Sequence, residues 1–331
     1  MKLSKLITCG FVLAILFACD NNENISDETL IEVEAKAPSY IDLGSTTRSI
    51  RVKNSNTLLS KPKSPNAAQT YKVELLMAEY ITAEGTGEMG NTVFFKNVGN
   101  KQLEGDFVPG LDLDGTTDIS YYVDDNRPSA DLAAADSHNA IDRAMSTWDD
   151  ITCSDLGIFE VPYDGSDTGF IAAIFNPFVD EDLGGSFEYI SDVMHGGWLQ
   201  AAFFDLLTEE GDGSQFILGA TFTIVFTDNN GDLIDLDKNG KFDVAWREVY
   251  YNDTFEWKDG SRFDVETIAL HESGHGLSQA HFGTAFLSGG NEVLHFSPRA
   301  VMNAAYSGVQ TSILQTDNAG HCSNWSSWPK N

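Results

Sequence analysis

From Ile119 onward the apolar positions follow two rhythms, and their interleaving predicts a mixed α/β (α+β) body. Ile119–Val123 reads as a first strand and Ala140–Thr152 as a helix. Within that helix Ile141, Met145 and Trp148 recur at i, i+4 and i+7, which puts them on one buried stripe. Gly169–Phe175 and Ala220–Phe226 are rich in β-forming residues and predict strands, as does Trp246–Trp257. A helix follows, with Ser261 or Asp264 as its N-cap. Gly274 and Gly276 inside it each cost about 1 kcal/mol relative to Ala, so the pattern predicts close packing against another backbone. Residues 119–331 suffice for one compact domain.

Upstream the rhythm weakens. Short alternating runs such as Thr92-Val-Phe-Phe-Lys96 make residues 71–118 a β-rich N-terminal segment, either a pro-region or an addition to the body. Residues 19–70 lack a sustained apolar period and read as a flexible tether. The start of the chain differs from both. A basic head, Met1-Lys-Leu-Ser-Lys5, precedes an apolar run from Leu6 to Ala18, which is too short to span a membrane but has the length of a signal-peptide core. Leu16-Phe-Ala-Cys19 resembles a bacterial lipobox, with Phe17 bulkier than that pattern. The resemblance implies a signal peptide over residues 1–18 and a lipid on Cys19; an ordinary cleaved signal peptide is the other reading. Both export the protein; the first anchors it at a bacterial outer membrane or cell surface, with release outside the cell as the alternative.

Export changes the meaning of the cysteines. Cys153 and Cys322 are left as an even pair in an oxidising compartment, either bonded to each other or present as two buried thiols. The balance of 50 acidic against 20 basic residues, a formal charge of −30, argues against nucleic acid and anionic membranes as partners. Part of that charge is clustered. Asp235, Asp237, Asn239 and Asp243 fall at positions 1, 3, 5 and 9 of an EF-hand-like loop, with Gly240 at the turn. Trp246 stands where such a loop closes with Glu, so the expectation is a structural Ca²⁺ loop or an acidic turn without an ion.

The densest chemistry is His271-Glu-Ser-Gly-His275-Gly-Leu-Ser-Gln-Ala-His281. On a helix His271 and His275 project from one face, one turn apart. Two imidazole nitrogens about 2.0–2.1 Å from Zn²⁺ suit that spacing; His281 adds a third ligand and leaves a fourth position for water. Glu272 stands beside the first ligand and is the candidate general base for that water.

This segment, continued by Phe282 and Gly283, resembles the zinc signature of the metzincin metalloproteases, and most closely their matrixin branch. Arg299-Ala-Val-Met302-Asn-Ala-Ala-Tyr306 resembles the Met-turn that floors the zinc. Ala304 stands where astacins and serralysins carry a tyrosine ligand. Leu314 to Cys322 resembles the closing matrixin helix, and the helix ending in Ser-Thr-Trp-Asp-Asp-Ile-Thr its opening one. The resemblance covers residues 119–331. It implies a catalytic domain with a twisted, mostly parallel sheet, an active-site helix and a C-terminal helix. It also implies a substrate pocket at Met302 and Tyr306, and an extended substrate added to the sheet edge near Val249 to Thr254. Ser278 replaces a family Gly, at a cost on the order of 1 kcal/mol if its backbone is left-handed. No cysteine switch precedes residue 119. His138, His195, His295 and His321 are scattered singly and read as structural or surface residues. Trp325 and Trp328 read as core anchors rather than a carbohydrate platform.

The resulting expectation is a monomeric zinc metalloendopeptidase acting on protein or peptide substrates, with one catalytic Zn²⁺. A non-catalytic surface binding lipoprotein on the same scaffold is the alternative.

Overall fold

A computed structural model describes residues 30–52, 69–98, 104–111, 115–288 and 293–330. The leader and Cys19 lie outside the described residues. The elements in chain order are β1 (Leu30–Val33), β2 (Ser39–Tyr40), β3 (Arg48–Val52), β4 (Gln69–Thr82), β5 (Thr92–Phe94), β6 (Gly105–Phe107), β7 (Ile119–Val123) and α1 (Ala134–Asp149). Then come β8 (Ile158–Glu160), α2 (Phe170–Phe175), β9 (Val193–Leu199), α3 (Ala201–Asp205), β10 (Ile217–Thr227) and β11 (Phe242–Asn252). The chain ends with β12 (Trp257–Lys258), β13 (Phe263–Asp264), α4 (Val265–Gly276), β14 (Thr284–Ser288), β15 (Leu294–Ser297) and α5 (Gln315–Trp325).

A 10-stranded sheet runs β2-β5-β4-β10-β11-β9-β7-β8, with β3 beside β4 and β6 beside β11. Strands β6, β7, β8, β9 and β11 pair in parallel, whereas β10 is antiparallel to both β11 and β4. The architecture is mixed α/β, and the sheet is mixed rather than mostly parallel. One face packs on α1 and α4 through Trp148, Val193, Ile268 and Leu270. The other is an aromatic layer of Phe170, Phe175, Phe203, Phe222 and Tyr250. Burying side chains of this size contributes roughly 1.5–3 kcal/mol each.

Three expectations change. Residues 30–52 are not all tether, because β1 pairs with β14, β2 with β5 and β3 with β4. Strands this short take their hydrogen bonds from distant partners and leave little local period to read. Strand β4 lies between β5 and β10, so residues 69–82 belong to the body of the sheet. Gly169–Phe175 is largely helix instead of strand. The buried Glu248 carboxylate accepts the first free N–H groups of α2, from Phe170 at 2.9 Å and Ile171 at 2.8 Å. That tertiary cap overrides the β propensity of the run. Cys153, just after α1, is disulfide-bonded to Cys322 in α5. Among the described residues no helix is long and apolar enough to cross a membrane.

Candidate metal centre

Helix α4 is enclosed on nearly every side, and all its residues except Glu266 are buried, its histidines and Glu272 included. Such a helix belongs at the centre of a fold. Asp264 caps it, accepting from Thr267 N–H at 2.9 Å and Gly260 N–H at 2.6 Å. Trp148 of α1 donates its indole N–H to Leu270 O at 2.9 Å. The two glycines accept side chains rather than backbone. A Cβ on Gly274 would lie 2.2 Å from Met302 Sδ, and one on Gly276 3.0 Å from Val193 Cγ1. The methionine sulfur therefore lies directly against the helix that carries the histidines.

The three imidazoles converge. His275 Nε2 lies 3.1 Å from His271 Nε2 and 3.2 Å from His281 Nε2. Ligands held about 2.0–2.1 Å from one tetrahedral ion are separated by roughly 3.3 Å, so these residues fit such an ion. The outer nitrogens fix the tautomers. His271 Nδ1 donates to Val301 O at 2.7 Å and His275 Nδ1 to Gln279 O at 2.7 Å, which leaves both Nε2 lone pairs directed at the shared point. Burial pushes His271 well below the usual imidazole range and His275 down to about 4, so both rings are neutral.

The chain reverses immediately after α4. Ser278 has φ 66°, and its hydroxyl accepts from Arg247 Nη1 at 2.9 Å. The same Nη1 donates to Gly276 O at 3.0 Å, closing the helix end that delivers Gln279 O to His275. Met302 and Val301 are held from below by Asp317 of α5.

Glu272 is fully buried. Its Oε2 accepts from Thr221 Oγ1 at 2.6 Å, and its Oε1 has no partner among the described residues. Burial raises its pKa to about 8, with Thr221 opposing and the nearby Glu79 reinforcing the shift. The backbone of Ile81 on β4 lies close to this carboxylate and opposes the shift. Strand β4 thus crosses the site. It is antiparallel to β10 on one side, and at its end Thr82 pairs in parallel with Ala305 and accepts from Tyr306 N–H at 2.8 Å. Glu79 Oε2 lies 3.6 Å from His275 Nδ1, and burial raises its carboxyl to about 7. A cavity of about 720 Å³ opens beside His281, lined also by Glu79, Gln279, Met302 and Asp317.

The sequence expectation of a substrate edge near Val249 to Thr254 does not hold. Val249 to Asn252 belong to β11, which is interior to the sheet with β10 and β9 on its two sides. The strand flanking β10 is β4. Met302 and Tyr306 line different cavities, Tyr306 facing Phe263 and Arg262 in one of about 340 Å³. Asp235, Asp237 and Asp243 bring carboxylate oxygens within 4.8 Å of one another. His138 bridges Asp125 and Glu160 at 2.9 Å each, and His195 is buried against Tyr251 OH at 2.8 Å. His295 faces Ser288, and the buried His321 stacks on Trp148. Trp325 and Trp328 are buried, donating to Leu277 O at 2.9 Å and Thr117 O at 2.6 Å.

Sequence reasoning missed Arg247, Thr221, Glu79 and Asp317. Only Arg247 carried a signal, a lone cation inside the apolar run Val244 to Tyr251. No protein-family model matches the chain, and no curated protein matches it.

Proposed function

We propose that this protein is a zinc-dependent endopeptidase of metzincin type, exported as a lipoprotein through Cys19 and acting on proteins outside the cytoplasm. One observation carries the reading: three imidazole nitrogens, two with fixed tautomers, converge one residue from a buried glutamate that keeps an unpartnered oxygen. When bound by His271, His275 and His281, Zn²⁺ supplies an acidified water and polarises the scissile carbonyl. Glu272 accepts a proton from the attacking water and returns it to the leaving amine. A carboxyl whose proton affinity is raised by burial exchanges a proton readily near neutral pH. Arg247, Asp317 and the carbonyls of Val301 and Gln279 keep the imidazoles oriented.

An extended peptide pairing with β10 needs the place that residues 79–82 now fill. In this reading the described state is the latent one, closed to long substrates and open to small molecules through the cavity beside His281. The same strand favours a second reading, a non-catalytic binding lipoprotein, because β4 already pairs with β10 and leaves no open edge on it for a peptide.

Bound zinc and casein cleavage, measured on wild type and Glu272→Gln, separate the two. One zinc per chain in both, with cleavage by wild type alone, supports the peptidase. Zinc in both with no cleavage, even after β4 has been displaced, supports the binding protein. A chain that takes up no zinc sinks both readings.

A further inference from the structure

We propose that Asp106 of β6 completes a Ca²⁺ site whose other side-chain ligands are Asp235, Asp237 and Asp243. The inference does not rest on the peptidase reading. The connection between β10 and β11 begins as an EF-hand-like loop does, and Gly240 at its turn has φ 91°. Its closing position fails. Trp246 is buried in β11 and donates its indole N–H to Glu248 at 3.0 Å, so it brings no oxygen to the loop. Ca²⁺ needs about 6–8 oxygens, and the loop's own carboxylates fall short.

Asp235, Asp237 and Asp243 have oxygens within 4.8 Å of one another, and the fold sets a fourth carboxylate beside this trio. Strand β6 pairs in parallel with β11, and the register sets Asp106 directly beside Asp243. Both are more than nine-tenths buried, at 8% and 0% exposure, and each has an Oδ1 with no partner among the described residues. Their other oxygens are taken: Asp243 Oδ2 accepts from Leu236 N–H at 2.6 Å, and Asp106 Oδ2 from Asn239 Nδ2 at 2.9 Å. Asn239 Nδ2 also reaches Asp237 Oδ2 at 3.3 Å, so this amide links the two carboxylates. Asn239, expected as a ligand, here serves as a spacer, since its Oδ1 accepts from Lys241 N–H at 2.9 Å.

Charge points the same way. Of the four carboxylates only Asp106 is ion-paired among the described residues, its Oδ2 lying 3.4 Å from Lys241 Nζ. Burial, reinforced by the neighbouring carboxylates, raises Asp243 to about 8 and also raises Asp237. Asp106 is raised by burial against the opposing pull of Asn239 and Lys241. Buried oxygens without partners are costly, and a bound cation removes that cost. All-oxygen ligation selects a hard ion, hence Ca²⁺ rather than the ion suited to the histidines. The site would fasten residues 104–111 to the strand that carries Arg247.

The test is calorimetric titration of CaCl₂ into the purified, chelator-treated chain, with thermal melting alongside. Wild type is expected to bind one Ca²⁺ and melt higher in its presence. Asp106→Asn and Asp243→Asn should each weaken binding at least tenfold, and Asp228→Asn, in the preceding turn, should not. Absence of Ca²⁺ binding at millimolar concentration overturns the proposal, as does wild-type affinity in Asp106→Asn. If Asp243→Asn fails to fold, the Asp106→Asn titration decides alone.

Discussion

Asp317 receives the backbone N–H of Met302 at 3.1 Å, so a residue of the last helix fixes the turn beneath the histidines. The same carboxylate takes the N–H of Val301 at 3.0 Å, and Val301 O in turn accepts His271 Nδ1. Outer partners of this kind typically govern metal affinity by about 10–100-fold. Asp317→Ala is therefore expected to weaken zinc binding in that range, measured by competition with a chromogenic chelator. Wild-type affinity in the variant would show that the turn holds its shape without α5.

Gly274→Ala gives a second, less intuitive expectation. In an ordinary helix the change gains about 1 kcal/mol. Here the new Cβ would stand 2.2 Å from Met302 Sδ, and overpacking of this kind costs typically about 1–3 kcal/mol. Denaturant melts should show the variant destabilised. Combining it with Met302→Ala should cost less than the two single losses added together, and strict additivity would count against the contact.

Asp243 sets a pH dependence for the metal-free chain. Its folded pKa, about 8, lies above the ordinary carboxylate value, chiefly through burial. The protonated form is therefore favoured by folding. The stability this contributes is full below the unfolded pKa near 4 and is lost as pH rises toward 8. Melting temperature without metal should fall across that window, and the slope should flatten in Asp243→Asn. Ca²⁺ should restore stability at the alkaline end. A wild-type slope in the variant would assign the effect to Glu79 and Glu272, which are shifted in the same direction.

Access to the metal is the fourth expectation. In cobalt-substituted chain, acetohydroxamate should perturb the visible spectrum by entering beside His281. A peptide hydroxamate should bind no tighter, because residues 79–82 already pair with β10 and Thr82 with Ala305. A tenfold advantage for the peptide would mean that β4 leaves the groove readily.

The histidine motif, the Asp264 cap and the strand at Ile119–Val123 were legible because each is written in adjacent residues. What escaped the sequence depends on partners far along the chain. Glu248 makes a helix of residues 170–175 from 77 and 78 residues away, and Asp106 meets Asn239 across 133. Strand β4 reads as an ordinary alternating segment. Its place beside β10 follows from packing that no local pattern encodes. The edge near Val249 to Thr254 is an expectation from the family resemblance, and no local run says which strands flank it.

The bond between Cys153 and Cys322 spans 169 residues and closes them into a covalent ring. Within that ring lie α4, the three histidines, the Met302 turn and Asp317. Linking positions so far apart restricts the unfolded chain by about 5 kcal/mol in a chain-entropy estimate. It also changes what a single cut means. A nick in any surface loop between those cysteines opens the ring but leaves both fragments tied, so the pieces carrying β10 and the histidines cannot drift apart until the sulfurs are reduced.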